Sequence, residues 1–206
     1  MEIDNFELVK SLMNFTSEDD FYFIQILKRK KENPEIPSNH NNNRRSIRTY
    51  YVRSLDYFDS IIKEIKDLCI ATNSRAYIHL TKRSFRKVAF LALENMSKQL
   101  RLGTFNNVYK SYNTACGGLE NRNGEKYWVL DIDTKEKFII NQYLDIIFNI
   151  NPDIFKTIIP TKNGVHLITQ GFNTKEFTDE CEIRSLEKID IHKNNPTLLY
   201  FKESNS

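Results

Sequence analysis

Two aspartates one residue apart close a short apolar run, Tyr127-Trp128-Val129-Leu130-Asp131-Ile132-Asp133-Thr134. The residues ahead of Asp131 are aromatic, β-branched or leucine, which suits a buried strand. Side chains alternate along a strand, so Asp131 and Asp133 share one face. Like charges placed together are unfavourable unless a cation lies between them, and a divalent ion with oxygen ligands is the usual one. Asp-x-Asp is also a plain turn former at strand ends, so the pair gains meaning only with companions.

Three companions follow in order. The turn Thr161-Lys162-Asn163-Gly164 leads into Val165-His166, and Asp190 stands alone in Ile189-Asp190-Ile191. Carboxylates from two strands can close on one or two Mg²⁺ or Mn²⁺ ions, which hold the attacking and leaving oxygens of a phosphoryl transfer about 3.5–4 Å apart. Lys162 supplies a cation, and Gly164 supplies backbone without a Cβ, where a phosphate chain can approach. His166 then points at the phosphate as a donor. Each residue also has a bland reading: His166 as a satisfied structural histidine, Asp190 as a turn cap.

The elements that must position these residues are legible from periodicity. Residues 4–16 read as a helix with Phe6, Leu8, Val9, Leu12 and Met13 on one face, and 21–27 as a strand. Residues 33–43, with two prolines and three consecutive asparagines, read as a long hairpin connection. Residues 48–53 form the next strand. Ser54 caps a helix with Phe58, Ile61, Ile62, Ile65 and Leu68 at helical spacing. A strand over 75–80 and a helix over 84–101 complete a βαβα half. After an Asn- and Gly-rich connector come the Asp-x-Asp strand, a helix over 137–149, strands over 155–160 and 165–169, and a short strand ending near 189–191. The second half therefore reads β-α-β-β-(α)-β, close to an RRM-like split βαβ unit. The expected class is α/β (α+β), with an N-terminal addition of helix, strand and Asn-rich loop over 1–45 and a main domain over 46–206.

With 40% hydrophobic and 28% charged residues among 206, the chain has the composition of an ordinary soluble domain. No run reaches the roughly 18 apolar residues that a membrane span needs. The start, Met1-Glu2-Ile3-Asp4-Asn5, has neither a basic nor an apolar segment, so no signal peptide is expected. Cys69, Cys116 and Cys181 are too scattered for a disulfide framework or a Cys-x-x-Cys zinc site. The expected compartment is cytoplasmic, in a bacterial or phage-infected cell. A net charge of +3 decides nothing, but Lys28-Arg29-Lys30-Lys31, Arg44-Arg45 with Arg48, and Lys82-Arg83 with Arg86-Lys87 are basic clusters near aromatics, as a phosphate backbone favours. Lys82 and Arg83, at a strand end next to a helix start, are the expected nucleic-acid contacts, since such ends line clefts in α/β folds. Tyr77 and His79 either stack bases or pack under the following helix.

Asp131-Ile132-Asp133, Gly164-Val165-His166 and Ile189-Asp190 together resemble the three motifs of archaeo-eukaryotic primases and primase-polymerases: a paired acid, a small residue two before a histidine, and a hydrophobic residue followed by Asp. The resemblance covers about residues 46–203, and it is to the small stand-alone forms of phages and mobile elements. It implies that Asp131, Asp133 and Asp190 bind catalytic Mg²⁺ or Mn²⁺. It further implies that His166, with Lys162 and Gly164, meets the triphosphate of an incoming nucleotide, and that a primer is made on a single-stranded template, with a helicase or other replication protein as a partner. The chain departs from many relatives in having Lys193-Asn194-Asn195-Pro196 where they carry arginines after the third motif, and in lacking zinc-binding insertions. A rival reading is a non-catalytic RRM-like single-strand-binding accessory protein of replication. A nuclease is disfavoured, because His40, His79, His166 and His192 are too far apart for a His-x-His site.

Overall fold

Nine strands and six helices form two antiparallel sheets in a computed structural model, which describes residues 1–33, 44–118 and 121–203. The first sheet has the order β1-β9-β4-β2-β3, with β1 Glu2–Asp4, β2 Asp20–Arg29, β3 Arg44–Val52, β4 Arg75–Ser84 and β9 Thr197–Lys202. The second has the order β6-β7-β5-β8, from β5 Trp128–Ile132, β6 Phe155–Pro160, β7 Val165–Thr169 and β8 Asp190–His192. The helices are α1 Phe6–Lys10, α2 Leu55–Thr72, α3 Phe85–Arg101, α4 Ser111–Gly117, α5 Lys137–Ile150 and α6 Thr174–Ile183. The mixed α/β class is thus as expected. In the second sheet each helix joins strands separated by a third: α5 links β5 to β6 around β7, and α6 links β7 to β8 around β5.

Local sequence explains the elements. Ser54 Oγ accepts the Tyr57 amide at 3.1 Å and opens α2, and Asn73 closes it in the left-handed region at φ 47°. Ser84 Oγ does the same for α3 through the Lys87 amide at 3.0 Å. On α2, Phe58, Ile61, Ile65 and Cys69 are buried at spacings of three and four, one stripe of a helix against a sheet. On α5, Ile140, Tyr143, Ile146 and Ile147 do likewise beneath the second sheet. All three cysteines are free and buried. Among the described residues no helix is long and apolar enough to cross a membrane.

Two sequence expectations change. The helix expected over 4–16 shrinks to α1: at its start Asn5 is buried and its amide donates to the Pro160 and Leu198 carbonyls, both at 2.9 Å, and beyond its end the Asn14 amide donates to the Tyr22 hydroxyl at 2.8 Å. The boundary at 45/46 does not separate units: β2 lies between β3 and β4 and pairs with both, so residues 1–33 are built into the first sheet. The hairpin connection expected over 33–43 lies outside the described residues except for Asn33.

The sheets share a core. Val129, Ile159 and Ile168 of the second sheet pack into the cluster of Tyr22, Ile24, Ile78, Leu80 and Leu199 from the first. The opposite face of the second sheet, with Leu130, Ile132 and Leu167, packs on α5 and α6. Period-two alternation therefore sends Asp131, His166 and Asp190 to the face that turns toward the first sheet.

Candidate functional site

Asp131 sits in the centre of its sheet, opposite His166 of β7 on one side and opposite Asp190 of β8 on the other. Directly opposed residues of an antiparallel pair project to the same side, so all three share a face. Here the sheets part into a cleft of about 390 Å³, lined by Asp131, Asp133, His166 and Lys162 on one side and by Arg29, Arg44, Arg75, Tyr77 and Leu198 on the other.

His166 is held at both ring nitrogens. Nδ1 is 2.8 Å from Thr197 Oγ1, and Nε2 is 3.4 Å from Asp131 Oδ1. A carboxylate opposite Nε2 favours the tautomer with its proton there, leaving Nδ1 to accept from the Thr197 hydroxyl. The hydrogen bond with His166 holds the Asp131 carboxyl below the usual carboxylate range; burial opposes this, and the charges of His192 and Arg29 add to it. Asp131 is therefore ionised at neutral pH, which is the state a metal ligand needs.

Asp133 follows the last residue of β5, is exposed, and lines the cleft with Asp131. Asp190 is also exposed, but it is not among the residues lining the cleft. Among the described residues no group of three His, Cys, Asp or Glu side chains is placed to hold a metal ion. The carboxylates that line the cleft are Asp131 and Asp133, and carboxylate oxygens are the ligand type that Mg²⁺ and Mn²⁺ take.

Lys162 lies at the cleft but is not free: its Nζ is 3.1 Å from Glu203 and 3.9 Å from Glu32, and it rests over the Phe201 ring at 5.0 Å. Gly164 has a different role from the one expected. A Cβ there would come within 1.9 Å of the Ile132 carbonyl oxygen and 2.7 Å of the Thr134 amide nitrogen. The space open to a phosphate is already filled by the backbone that carries the Asp-x-Asp pair.

Lys82 and Arg83, expected at a nucleic-acid surface, are buried instead. The strand runs on through Ser84, so both lie inside β4, flanked by β2 and covered by the segment that follows α3. Lys82 Nζ is 2.8 Å from Asp20 and 2.7 Å from Thr16 Oγ1. Arg83 donates to the Cys116 carbonyl at 3.0 Å and to Asn194 Oδ1 at 2.9 Å, and faces His79 Nδ1 at 3.1 Å. Burial, with the Arg83 charge beside it, pushes His79 down to about 3, so the ring is neutral and accepts from Arg83. His79 packs against Phe23, whereas Tyr77 faces the cleft.

Sequence reasoning missed Arg29, Arg44 and Arg75 as cleft residues and Thr197 as the partner behind His166. Arg29 and Arg44 belong to basic clusters visible in the sequence, whereas Arg75 stands alone there; which of them face inward depends on register. No protein-family model, curated protein or solved structure matches the chain.

Proposed function

We propose that the chain is a template-dependent nucleotidyltransferase of primase-polymerase type. The observation that carries this reading is the cleft itself: Asp131 and Asp133 stand with His166 on one wall, and arginines of the first sheet stand on the other. The strand order β6-β7-β5-β8 supports an RRM-like split βαβ unit as the carrier of the acids. A Mg²⁺ or Mn²⁺ ion held by Asp131 and Asp133 would supply neutralisation of phosphate charge.

The residues of the chain position and neutralise. Thr197 fixes the His166 ring, whose Nε2 proton is then available at the edge of the cleft to a phosphate oxygen displacing Asp131 from it. Lys162, on the β6–β7 turn, offers positive charge to a phosphate only by leaving Glu203 and Glu32. The reaction joins a 3′-hydroxyl oxygen to the α-phosphate, breaks the bond from the α-phosphorus to the bridging oxygen, and releases pyrophosphate, with the hydroxyl proton passing to solvent. Its rate comes from alignment and electrostatics, with no covalent work for side chains.

A second reading, a single-strand-binding accessory protein, is favoured by Asp190, which stands outside the cleft. Primer synthesis on a single-stranded template with Mg²⁺ or Mn²⁺ separates the two. The wild type should make product, and the Asp131→Asn/Asp133→Asn variant should make none. Equal product from both excludes this site. Strand binding that is indifferent to metal, with no synthesis, selects the accessory protein.

A further inference from the structure

We propose that Arg29 and Arg44 form a phosphate-binding fork on the first-sheet wall of the cleft. The two are cross-strand partners, the last pair in the register of β2 with β3. Directly opposed residues of an antiparallel pair share a face, and both of these line the cleft. Like charges directly opposed on an antiparallel pair are destabilising, and an anion between them removes that cost.

The neighbouring cations already have partners. Arg75 pairs with Glu32 through Nη2 and Nε, the latter at 3.1 Å, and lies over Phe201 at 4.5 Å. Lys162 shares Glu32 and adds Glu203. Arg48, on the same strand as Arg44, is paired with Glu64 and lies over Tyr50 at 5.0 Å. Among the described residues neither the Arg29 nor the Arg44 guanidinium makes an ion pair or hydrogen bond, although the Arg29 charge is felt by Asp131.

Phosphate is the chemistry that suits them. Guanidinium groups are planar forks that bind phosphate oxygens in pairs of hydrogen bonds, and they stay charged at every relevant pH. A cleft of about 390 Å³ is of the size that takes a nucleotide. The inference rests on the nucleotidyltransferase reading only for the source of the phosphate, which is either the triphosphate of a nucleotide or the backbone of a strand.

The experiment measures binding of two probes in EDTA at one fixed low salt: sodium triphosphate by calorimetry, and a labelled 20-nucleotide single strand by fluorescence anisotropy. The wild type is compared with Arg29→Gln, Arg44→Gln, the double variant, and Arg48→Gln as a control outside the cleft. Each cleft substitution should weaken at least one probe about 10-fold or more, with Arg48→Gln unchanged. Arg29→Lys and Arg44→Lys keep the charge without the fork and should restore only part of the affinity, which separates binding from misfolding. A loss for triphosphate alone assigns the fork to the nucleotide. A loss for the strand alone, with a salt slope shallower by about one per removed charge, assigns it to the backbone. Unchanged binding of both probes by a folded double variant, or a wild type that binds neither, overturns the fork. Primer synthesis run in parallel keeps the two readings apart. A wild type that makes no product, but whose phosphate binding depends on the arginines, overturns the reaction alone. A wild type that makes product, with a double variant that binds both probes as before, overturns the fork alone.

Discussion

Gly164 lies so close to Ile132 that a Cβ on the glycine would fall 1.9 Å from the Ile132 carbonyl oxygen. The contact joins the β6–β7 turn to the last residue of β5, immediately before Asp133. Gly164→Ala must push one backbone away from the other, and no flexible side chain is there to yield. The variant should lose about 1–3 kcal/mol or more of stability, read as a lower urea midpoint. Metal or nucleotide binding in the folded fraction should also weaken, because the Asp-x-Asp backbone moves. Wild-type stability in this variant would show that the turn is free to shift.

Thr197 holds His166 from behind at 2.8 Å and is itself fully buried. Thr197→Val removes the hydroxyl at nearly constant volume and leaves Nδ1 without its partner, at a cost of about 1–3 kcal/mol. Thr197→Ser keeps the hydroxyl. If Thr197 positions His166, the valine variant should lower kcat more than it raises KM for the nucleotide and shift the pH profile of synthesis, and serine should restore both. A stability loss with an unchanged profile would leave Thr197 a purely structural role.

The strand carrying Asp131, the capped helix after Ser54 and the helix over 84–101 were legible because their signals are local: a short apolar run, a hydroxyl cap at Ser54, a stripe at spacings of three and four. What escaped depends on pairings far apart in sequence. β9 is only six residues long, and its partners β4 and β1 lie in the sheet that the chain had left long before. Without β9 there was no way to see Thr197 behind His166. Lys82 and Arg83 were misplaced for the same reason: a basic pair beside a helix start looks exposed until β2 and the segment after α3 are seen to enclose it. Gly164 was legible as a position requiring glycine, but the atom it accommodates is a carbonyl oxygen of the chain.

The Lys82–Asp20 pair is buried on both sides, so removing one partner strands the other. Lys82→Met should cost about 3–5 kcal/mol and change strand binding by no more than its unfolding explains. Burial works to raise the Asp20 carboxyl, but hydrogen bonds from Lys82, Thr16 and Asn123 outweigh it and hold the group well below its ordinary value. A depressed carboxylate stabilises the fold fully above its unfolded value of about 3.9, and that contribution is lost as pH falls toward the folded value. Wild-type stability should therefore decline below about pH 5. Asp20→Asn should be less stable at pH 7 and show a flatter decline over the same range. Parallel acid-denaturation curves for the two proteins would remove Asp20 as a source of acid sensitivity.

Asp190 provides the sharpest division within the proposed site. It is opposite Asp131 in register, yet it is exposed and does not line the cleft. If the ion is held by Asp131 and Asp133, Asp190 acts through its field across the strand, an effect of about 1 kcal/mol at such a separation in a water-like medium. Asp190→Asn should then weaken Mn²⁺ binding by less than about 10-fold, whereas Asp133→Asn, which removes a ligand, should weaken it further. Mn²⁺ titration followed by electron paramagnetic resonance measures both. Equal losses from the two variants would mean that Asp190 turns in to complete a three-carboxylate site when the metal binds, the arrangement that the motif resemblance implies. The ranking of the two substitutions thus decides between a site completed by substrate and one completed by the protein.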